Sequence, residues 1–335
     1  DAGVGNGKET TGVDGNNTVS NTFDISISSN NDAPILTVPA TLTVNEDSID
    51  AAVTGISLAD SDDFGAVERV TLDLGASAKG TITMTTLTGL TFTTGDGTSD
   101  TMMVFTGTKA AINTALATLK FTPTTNLNTV GGANVQNLTV TVDDLGNTGT
   151  GGPLTDTETL AITIAPVNDA PTRSAASVTL ATEAEDSAPA GVTVNGLFGP
   201  VFSDATDTQS GGSNANALAG VAIVGNAATA AQGKWQYNSG AGWNDLPTAT
   251  SLTAPFLLGS SDLVRFLPAA NWNGTPGQLT VRLIDNSSGA VTTGAGSDIS
   301  GAATGGTTAY ANLANQVTLG TTISAVNDAP VASGT

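Results

Sequence analysis

Asn168-Asp169-Ala170-Pro171 is one of three copies of the same tetrapeptide, and the other two lie at 31–34 and 327–330. Apolar residues precede every copy at the same two offsets, four and eight positions before the Asn: Ile27, Ile164 and Ile323, and Phe23, Leu160 and Leu319. A tetrapeptide alone can recur by chance, but a matched strand pattern leading into all three copies indicates a repeat boundary. The sequence therefore predicts a segment of a tandem array.

The composition excludes several classes of protein. The chain has 335 residues, with 30 acidic and 9 basic residues, no His, no Cys and a net charge of −21. Without His and Cys there is no Ser-His-Asp or Cys-His machinery, no zinc site of the usual ligand sets, and no disulfide. The negative charge argues against nucleic-acid partners, which need a basic footprint, and against anionic membrane surfaces.

The composition is also typical of an all-β protein. Hydrophobic residues make up 39% of the chain and alternate with Thr and Ser in short runs, which argues against disorder. Gly, Thr, Ala, Asn, Val and Leu are abundant, whereas Lys, Glu and aromatic residues are scarce. No apolar run reaches the roughly 18 residues that a membrane span needs, so no direct membrane insertion is expected. No signal sequence is seen, and the chain is expected to be a fragment of a longer protein.

The repeat pattern divides the chain into four segments. Residues 1–30 are predicted to end a preceding repeat with a strand over 22–27, and 327–335 to begin a following one. Between them, 31–167 and 168–326 are predicted to be two full repeats, the second of them larger. Short strands with turn signals about every 8–12 residues predict a cadherin-like or Ig-like antiparallel β-sandwich for each repeat.

Two features distinguish the full repeats. In the first, Thr108 to Leu119 places Ile112, Leu116 and Leu119 at helical spacing behind a Thr that can cap, which predicts a short helix. The second adds a hairpin-like aromatic segment over 234–243. It also adds a Gly/Ser/Thr-rich loop over 286–308, which is long enough to be a mobile or binding loop. Both repeats share a motif, which reads Phe121-x-Pro123-x-x-Asn126-x-Asn128 in the first and Phe266-x-Pro268-x-x-Asn271-x-Asn273 in the second.

The acidic residues cluster at the predicted strand ends and at the joints. Grouped carboxylates without Lys or Arg partners repel one another unless a cation lies among them. An oxygen-only ligand set of flexible geometry suits Ca²⁺ better than Mg²⁺ or a transition metal. The predicted calcium ligands are Asn31, Asp32, Glu46, Asp47, Asp60, Asp62, Asp63, Asp143, Asp144, Asn168, Asp169, Glu183, Glu185, Asp186, Asp204, Asp207, Asp285, Asn327 and Asp328.

The alignment of the second repeat leaves one alternative open. Glu183 follows Pro171 at the same distance at which Glu46 follows Pro34, whereas Glu185-Asp186-Ser187 matches Glu46-Asp47-Ser48 better by local sequence. A local calcium loop does not fit either repeat. Asp60-x-Asp62 begins like an EF-hand loop, but Phe64 and Thr71 occupy positions that need a ligand and the closing Glu. The ligands are therefore expected to converge from distant strands and the joint.

The chain resembles cadherin-like repeats in four features. They are an Asn-Asp-x-Pro joint, a Glu near the end of the first strand, an Asp-x-Asp pair and an Asp late in the repeat. Val-Asn-Asp-Ala-Pro joints together with Phe-x-Pro-x-x-Asn-x-Asn are similar to repeats of giant bacterial surface adhesins of the RTX type, and this resemblance covers essentially the whole chain. It implies Ca²⁺ at domain junctions, shared with neighbouring repeats, which stiffens an extended rod. By matching position it groups Glu46, Asp143, Asn168 and Asp169 with Asp204 and Asp207. The chain departs from cadherins in lacking their second Asn after the joint Asp and their acidic Arg-Glu pair.

The sequence thus predicts a calcium-rigidified extender of a secreted bacterial cell-surface adhesin that supports adhesion and biofilm, with no catalysis. The alternative is a glycan- or peptide-binding module of the same adhesin, with a site in 168–326 formed by Trp235, Tyr237 and Trp243. A core role for these aromatics is favoured, because Trp235 and Tyr237 alternate onto one face of a strand. A glycoside hydrolase needs two carboxylates facing each other across a cleft, and nothing in the sequence places such a pair.

Overall fold

A computed structural model describes residues 24–129, 135–208, 215–301 and 306–329 of the chain. The chain divides into two compact units, Asp1–Ala165 and Pro166–Thr335. The predicted repeat borders at residues 31, 168 and 327 stay predictions. Most of the predicted segment 1–30 and the end of 327–335, including Pro330, lie outside the described residues.

The first unit contains eleven strands and one α-helix in its described part. In chain order they are β1 (Ile35–Thr37), β2 (Thr41–Asn45), β3 (Ala51–Ala52), β4 (Ser57–Ala59), β5 (Val67–Asp73), β6 (Gly80–Met84), β7 (Leu90–Thr94), β8 (Met102–Thr108), α1 (Lys109–Leu116), β9 (Leu119–Pro123), β10 (Gln136–Asp143) and β11 (Thr155–Ala165). Pro39 separates β1 from β2, because proline lacks the N–H that a strand ladder needs.

Two sheets of the first unit enclose its core. One has six strands in the order β2-β11-β10-β5-β8-β7, the other has three in the order β3-β9-β6, and β1 pairs with β4. Strands alternate between buried and more exposed residues, as in β5, where Val70 and Leu72 are fully buried. Their side chains join Phe105, Phe121 and Ile162 in one continuous hydrophobic core. The predicted all-β sandwich is confirmed.

Helix α1 is the predicted short helix, with one boundary changed. The Thr108 side chain caps it by accepting a hydrogen bond from the Ala111 N–H at 3.3 Å, and Ile112 and Leu116 are buried. The helix ends at Leu116, so its predicted extension to Leu119 is wrong. Leu119 begins β9, where its side chain is buried in the core between the two sheets.

The second unit contains fourteen strands and one short α-helix in its described part. They are β12 (Thr172–Arg173), β13 (Ser177–Thr179), β14 (Glu183–Ala184), β15 (Val192–Thr193), α2 (Val194–Phe198), β16 (Phe202–Ser203), β17 (Leu218–Asn226), β18 (Gly233–Asn238), β19 (Asn244–Asp245), β20 (Phe256–Gly259), β21 (Leu263–Pro268), β22 (Leu279–Asp285), β23 (Gly294–Ala295), β24 (Val317–Gly320) and β25 (Ile323–Ser324). Short 3₁₀ turns lie at Gly199–Val201 and Leu313–Asn315.

The six-stranded sheet of the second unit repeats the order of the first five strands of its counterpart, whereas its last edge strand, β23, comes later in the chain than the corresponding β7. This sheet runs β13-β24-β22-β17-β20-β23, and the second sheet of the unit runs β15-β21-β18-β19. In both units an early strand pairs in parallel with the last long strand, β2 with β11 and β13 with β24, as an exception within otherwise antiparallel sheets. This pairing brings the start and the end of each unit's chain side by side.

One expectation about a less regular segment is wrong, and a second stays a prediction. Residues 24–27 of the strand predicted over 22–27 form no strand, and Ile25 and Ile27 are exposed, because no described strand pairs with this segment. The loop over 286–308, expected to be mobile or ligand-binding, is held to the sheet in its described part. It contributes β23, which pairs with β20, and Ile299, which is buried in a small separate core with Ala222 and Ile284.

Candidate calcium sites

The Asn-Asp pair of the first unit holds two loops together where the chain enters that unit. The buried Asn31 side chain donates from Nδ2 to Asp144 Oδ2 at 2.6 Å and to the Gly152 carbonyl oxygen at 3.0 Å. The Asp32 backbone N–H donates to Asp62 Oδ2 at 3.1 Å. The joint therefore contacts the loop after β4 and the loop after β10. Both loops carry acidic residues that the sequence predicts to converge on it.

We call the polar residues around this joint the first entry cluster. It comprises Asn31, Asp32, Asp60, Asp62, Asp63, Glu68 and Asp144. Glu68 is the member that sequence reasoning missed. Unlike the others it lies inside a strand, β5, where its side chain is fully buried.

Burial and neighbouring charges raise the pKa values of two carboxyl groups in this cluster. Burial, together with the negative charges of Asp60 and Asp63, raises the pKa of Glu68 to about 7, against the opposing effect of the positive charge of Lys109. The pKa of Asp60 is raised to about 6, chiefly by burial and also by the side chain of Asp62. The backbone N–H of Asp62 opposes this rise by donating to Asp60 Oδ1.

Several buried oxygens of the first entry cluster accept no hydrogen bond from any described residue. They are Asn31 Oδ1, Asp60 Oδ2, Asp62 Oδ1 and both carboxylate oxygens of Glu68. An uncompensated buried charge is strongly destabilising, by several kcal/mol per ion. A cation among these oxygens would supply the missing partner. The donor set, made of carboxylate and amide oxygens only, fits Ca²⁺.

Two basic residues lie at this end of the unit, although the clusters were predicted to have no Lys or Arg partners. Lys109, the first residue of α1, donates from Nζ to Asp63 Oδ1 at 2.6 Å and to the Asp60 carbonyl oxygen at 2.5 Å. Arg69 forms an ion pair with Asp143, which is thereby engaged by a neighbouring strand of its own sheet. The prediction is wrong for these two carboxylates, because α1 and β5 bring distant basic residues to them.

The second unit builds a related arrangement, which we call the second entry cluster. It comprises Asn168, Asp169, Asp204, Asp207, Asn216 and Asp285. Asn168 donates from Nδ2 to Asp285 Oδ2 at 3.3 Å, and the Asp169 N–H donates to Asp207 Oδ1 at 3.1 Å. The joint of the second unit thus connects Asp285, at the end of β22, with the loop that carries Asp204 and Asp207.

Asp204, Asp207 and Asp285 are the buried carboxyl groups of the second entry cluster, and the pKa of Asp204 is shifted. Burial raises this pKa, and the charge of Asp285 raises it further, whereas the Asn216 backbone N–H and the Asp207 side chain lower it. The Asn216 N–H donates to Asp204 Oδ2, while Oδ1 accepts no hydrogen bond from a described residue. The second cluster thus repeats the buried, unpartnered carboxylate oxygen of the first.

In both units the late Asp belongs with the Asn-Asp pair at the start of its own unit. Asp144 contacts Asn31, and Asp285 contacts Asn168. This differs from the grouping of Asp143 with Asn168 and Asp169 that the family resemblance implies. The proximity of Asn168 and Asp169 to Asp204 and Asp207, by contrast, is present within the second unit.

A Glu-Asp pair lies beside the last strand of each unit, and we call these residues, Glu46-Asp47 and Glu185-Asp186, the exit pairs. The Glu46 N–H donates to the Ala165 carbonyl oxygen at 2.8 Å. The Glu185 N–H donates to the Ser324 carbonyl oxygen at 2.9 Å, and Glu185 Oε1 accepts from the Val326 N–H at 2.8 Å. Each exit pair is therefore fixed where the chain leaves its unit.

The shared Phe-Pro-Asn-Asn motif holds the exit pairs, a role that the sequence did not reveal. In the first unit the Asn126 N–H donates to Asp47 Oδ1 at 2.7 Å, and Asn128 Nδ2 donates to Glu46 Oε2 at 3.4 Å. Asp47 and Asn126 both have positive φ, 59° and 55°, a conformation that Asn and Asp adopt more readily than most residues.

The second unit reproduces these contacts and thereby decides the open alignment. The Asn271 N–H donates to Asp186 Oδ1 at 2.9 Å, and Asn273 Nδ2 donates to Glu185 Oε2 at 3.2 Å. Glu185-Asp186 is therefore the counterpart of Glu46-Asp47. Glu183 lies two residues earlier in β14, and the joint residues Asn327 and Asp328 are exposed.

No set of three or more carboxylates within the described ranges is close enough to form a ready-made metal-binding group. Part of each cluster's oxygen supply comes instead from amide groups, which carry no repelling charge. Carboxylates that lack a bound cation also repel one another. The clusters therefore gather the donors that Ca²⁺ prefers without closing them around one point.

The aromatic residues of the second unit are mostly engaged within it. Trp235 is 1% exposed, donates from Nε1 to the Gly277 carbonyl oxygen at 2.8 Å and meets Phe266 edge to face. Tyr237 packs against Phe256 with ring centroids 5.1 Å apart. Trp243 is half-buried, and the Arg265 guanidinium lies 3.9 Å from its ring centroid, so that this ring face is occupied.

A scan against protein-family models finds no match, and a search of curated proteins finds none either. The chain resembles solved structures of cadherin extracellular domains. Protocadherin Gamma B2 extracellular cadherin domains 1-5 are 16% identical, with a TM-score of 0.38 and coverage of 90% of this chain and 42% of that chain. Mouse cadherin-23 EC22-24 is 14% identical, with a TM-score of 0.38 and coverage of 89% and 68%. Human protocadherin-24 EC1-2 is 12% identical, with a TM-score of 0.39 and coverage of 89% and 100%.

The chain thus spans less than half the length of the first of these structures. All three TM-scores lie below 0.5 and the identities below 25%, so these similarities establish no function. Within the ranges that the structure describes, no helix has the length and apolarity needed to cross a membrane.

Proposed function

We propose that this chain is a calcium-dependent structural extender of an extracellular adhesion protein and has no catalytic role. The observation that carries the proposal is the set of buried oxygens in the entry clusters, including those of Glu68 and Asp204, that have no donor among the described residues. Oxygen ligands of this kind suit Ca²⁺, which extracellular modules bind with Kd values of about 10⁻⁴–10⁻³ M. Millimolar calcium outside a cell occupies such sites.

Bound calcium would supply positive charge to the buried oxygens that have no donor among the described residues. In the first unit the available ligands are Asn31, Asp60, Asp62 and Glu68, and in the second they include Asp204 and Asp285. The Asn-Asp pair of each joint lies shortly before the first strand of its unit and hydrogen-bonds to its cluster. An ion held there fixes the direction in which the chain enters the unit, which is what a stiff extender requires.

We further propose that the parent protein is a secreted bacterial surface adhesin of the RTX type that acts in cell adhesion and biofilm. The Val-Asn-Asp-Ala-Pro sequences at 167–171 and 326–330 and the two Phe-Pro-Asn-Asn motifs support this proposal. Its partners would be the neighbouring repeats of the same chain, and its location the outside of the cell. The sharing of one Ca²⁺ by carboxylates of adjoining repeats stays a prediction.

Thermal unfolding in EDTA and in 10 mM CaCl₂, with 10 mM MgCl₂ as the control, tests the calcium proposal. At about 100-fold excess over Kd, one site adds roughly 2.7 kcal/mol to the free energy of unfolding. For a unit of this size that corresponds to a rise in Tm of about 5–10 °C. Equal melting curves in EDTA and calcium contradict the proposal.

One observation favours the second candidate function, a glycan- or peptide-binding module. A cleft of about 310 Å³ opens beside β18, with Trp235, Leu246 and Pro247 in its wall and the Lys234–Asp245 ion pair, 2.6 Å apart, at its lining. Apolar walls with a few polar groups are typical of small ligand sites. Glycan-array binding that is lost in Asp245→Asn, with the fold retained, supports this function, and silence across broad arrays counts against it.

A further inference from the structure

The first entry cluster contains a cation of its own, the Lys109 ammonium. Its Nζ lies 2.6 Å from Asp63 Oδ1 and 2.5 Å from the Asp60 carbonyl oxygen, so it occupies two acceptors of the acidic loop after β4. The Lys109 side chain is only 31% exposed. Its position is set by the fold, because Thr108 caps α1 and Lys109 is the first residue of that helix.

The same cluster also has buried acceptors without a donor among the described residues. Glu68 is fully buried, and neither of its carboxylate oxygens has a partner among the described residues. Asp62, which is 4% exposed, likewise keeps Oδ1 without a donor. One monovalent ammonium therefore serves a group of six carboxylates, those of Asp32, Asp60, Asp62, Asp63, Glu68 and Asp144, and leaves part of it unpaired.

The second unit has no counterpart to this arrangement, because its four basic residues are engaged elsewhere. Lys234 pairs with Asp245 at 2.6 Å, and Arg265 donates to Gln236 and to the Pro189 carbonyl oxygen. Arg173 and Arg282 donate to backbone carbonyl oxygens, those of Ala314 and Ala311. The acids of the second entry cluster are instead contacted by amides, as in Asn168 to Asp285 and Asn216 to Asp204.

We propose that Lys109 is a tethered cation that competes with Ca²⁺ for the first entry cluster and so sets the calcium concentration at which the first unit fills. This inference rests on the proposed calcium function. The ammonium binds Asp63 Oδ1 and the Asp60 carbonyl oxygen, in the same acidic loop as the side chains of Asp60 and Asp62 that the ion needs, and like charges close together repel. Without metal, the same ammonium stabilises the acidic loop by neutralising part of its charge. Lys109 therefore weakens calcium binding and supports the calcium-free fold.

The variant Lys109→Met separates these two effects, because it keeps the aliphatic stem and removes the charge. A unit charge about 6 Å from a divalent ion in a water-like dielectric changes the Kd about tenfold. We expect calorimetric calcium titration of Lys109→Met to show about tenfold tighter binding at one class of sites, with the other class unchanged. In EDTA the same variant is expected to melt at a lower temperature than the wild type.

Three further variants make the result specific. Lys109→Arg keeps the charge and is expected to retain the wild-type calcium affinity. Lys234→Met removes a lysine charge from an ion pair outside the entry clusters and is expected to leave both classes of sites unchanged. Asp207→Asn alters the second entry cluster, so the class of calcium sites that it leaves unchanged belongs to the first entry cluster.

The outcomes of this experiment are distinguishable. If the wild type binds calcium and Lys109→Met binds it equally or more weakly, the competition is wrong and the calcium function stands. If the wild type binds no calcium in the titration, both proposals are overturned. If Lys109→Met and Lys109→Arg tighten binding equally, the charge is not the cause, and the inference fails.

Discussion

Replacing Glu68 by Gln is expected to have opposite effects with and without calcium. The carboxyl has a pKa raised from 4.5 to about 7, so keeping it ionised above pH 7 opposes folding by about 3 kcal/mol. A group of this kind lowers stability as the pH rises from about 4.5 to about 7, and its full effect remains above that range. Gln removes the charge, but its amide also lacks partners, so we expect a gain of about 1–2 kcal/mol in metal-free buffer.

Thermal unfolding at pH 8 in EDTA and in 10 mM CaCl₂ measures both effects. In EDTA the Tm of Glu68→Gln is expected to exceed that of the wild type by about 2–8 °C. In calcium the variant has lost a ligand, and its calcium-induced rise in Tm is expected to be smaller than that of the wild type. Glu158→Gln, at an exposed position of β11, is the matched control and should change neither value. A lower Tm in EDTA together with an unchanged calcium effect would refute this account of Glu68.

Three further predictions concern the remaining contacts, and urea denaturation in EDTA checks each of them. Asn128→Ala removes the amide that contacts the first exit pair and is expected to lower the free energy of unfolding by about 1 kcal/mol, whereas the exposed Asn137→Ala is expected to be nearly neutral. Trp235→Ala is expected to destabilise its unit by about 3–5 kcal/mol, because it empties a fully buried position; an effect no larger than that of Trp243→Ala would contradict its core role. Thr108→Ala is expected to lower stability by about 1 kcal/mol through loss of the helix cap, and Thr108→Ser should retain it.

The acidic loops and joints were accessible to sequence reasoning because polar residues that end strands interrupt the alternation of apolar residues. Asp60 follows β4, and Asn31 precedes β1. Their contacts across the unit, such as Asn31 to Asp144, then follow from the sandwich that the strands form. The helix cap at Thr108 was predictable for a similar reason, because capping is a local interaction within one turn.

Glu68 was not predicted as a ligand because it lies inside β5, whereas the predicted ligands lie at strand ends and at the joints. A signal was present, since Glu68 shares the inward phase of β5 with Val70 and Leu72, and an acidic residue in that phase is buried. The parallel pairing of β2 with β11 could not be predicted, because alternation specifies which face of a strand is buried and not the direction of its neighbour.

The alignment of the second exit pair also required the structure. Counting from the joint favoured Glu183, whereas local sequence favoured Glu185, and only the contacts with Asn271 and Asn273 distinguish them. For the strand predicted over 22–27, the sequence pattern alone was misleading. The pattern is alternating, but residues 24–27 form no strand, since a strand also needs a hydrogen-bonding neighbour.

Equilibrium dialysis of the chain against radiolabelled Ca²⁺ at 1 mM and 10 mM is the most direct test of the calcium account. The calcium account predicts at least one bound ion for each entry cluster at the higher concentration. It predicts fewer bound ions in a double variant that combines Glu68→Gln with Asp204→Asn. Binding of the wild type no greater than that of this double variant would contradict the calcium account.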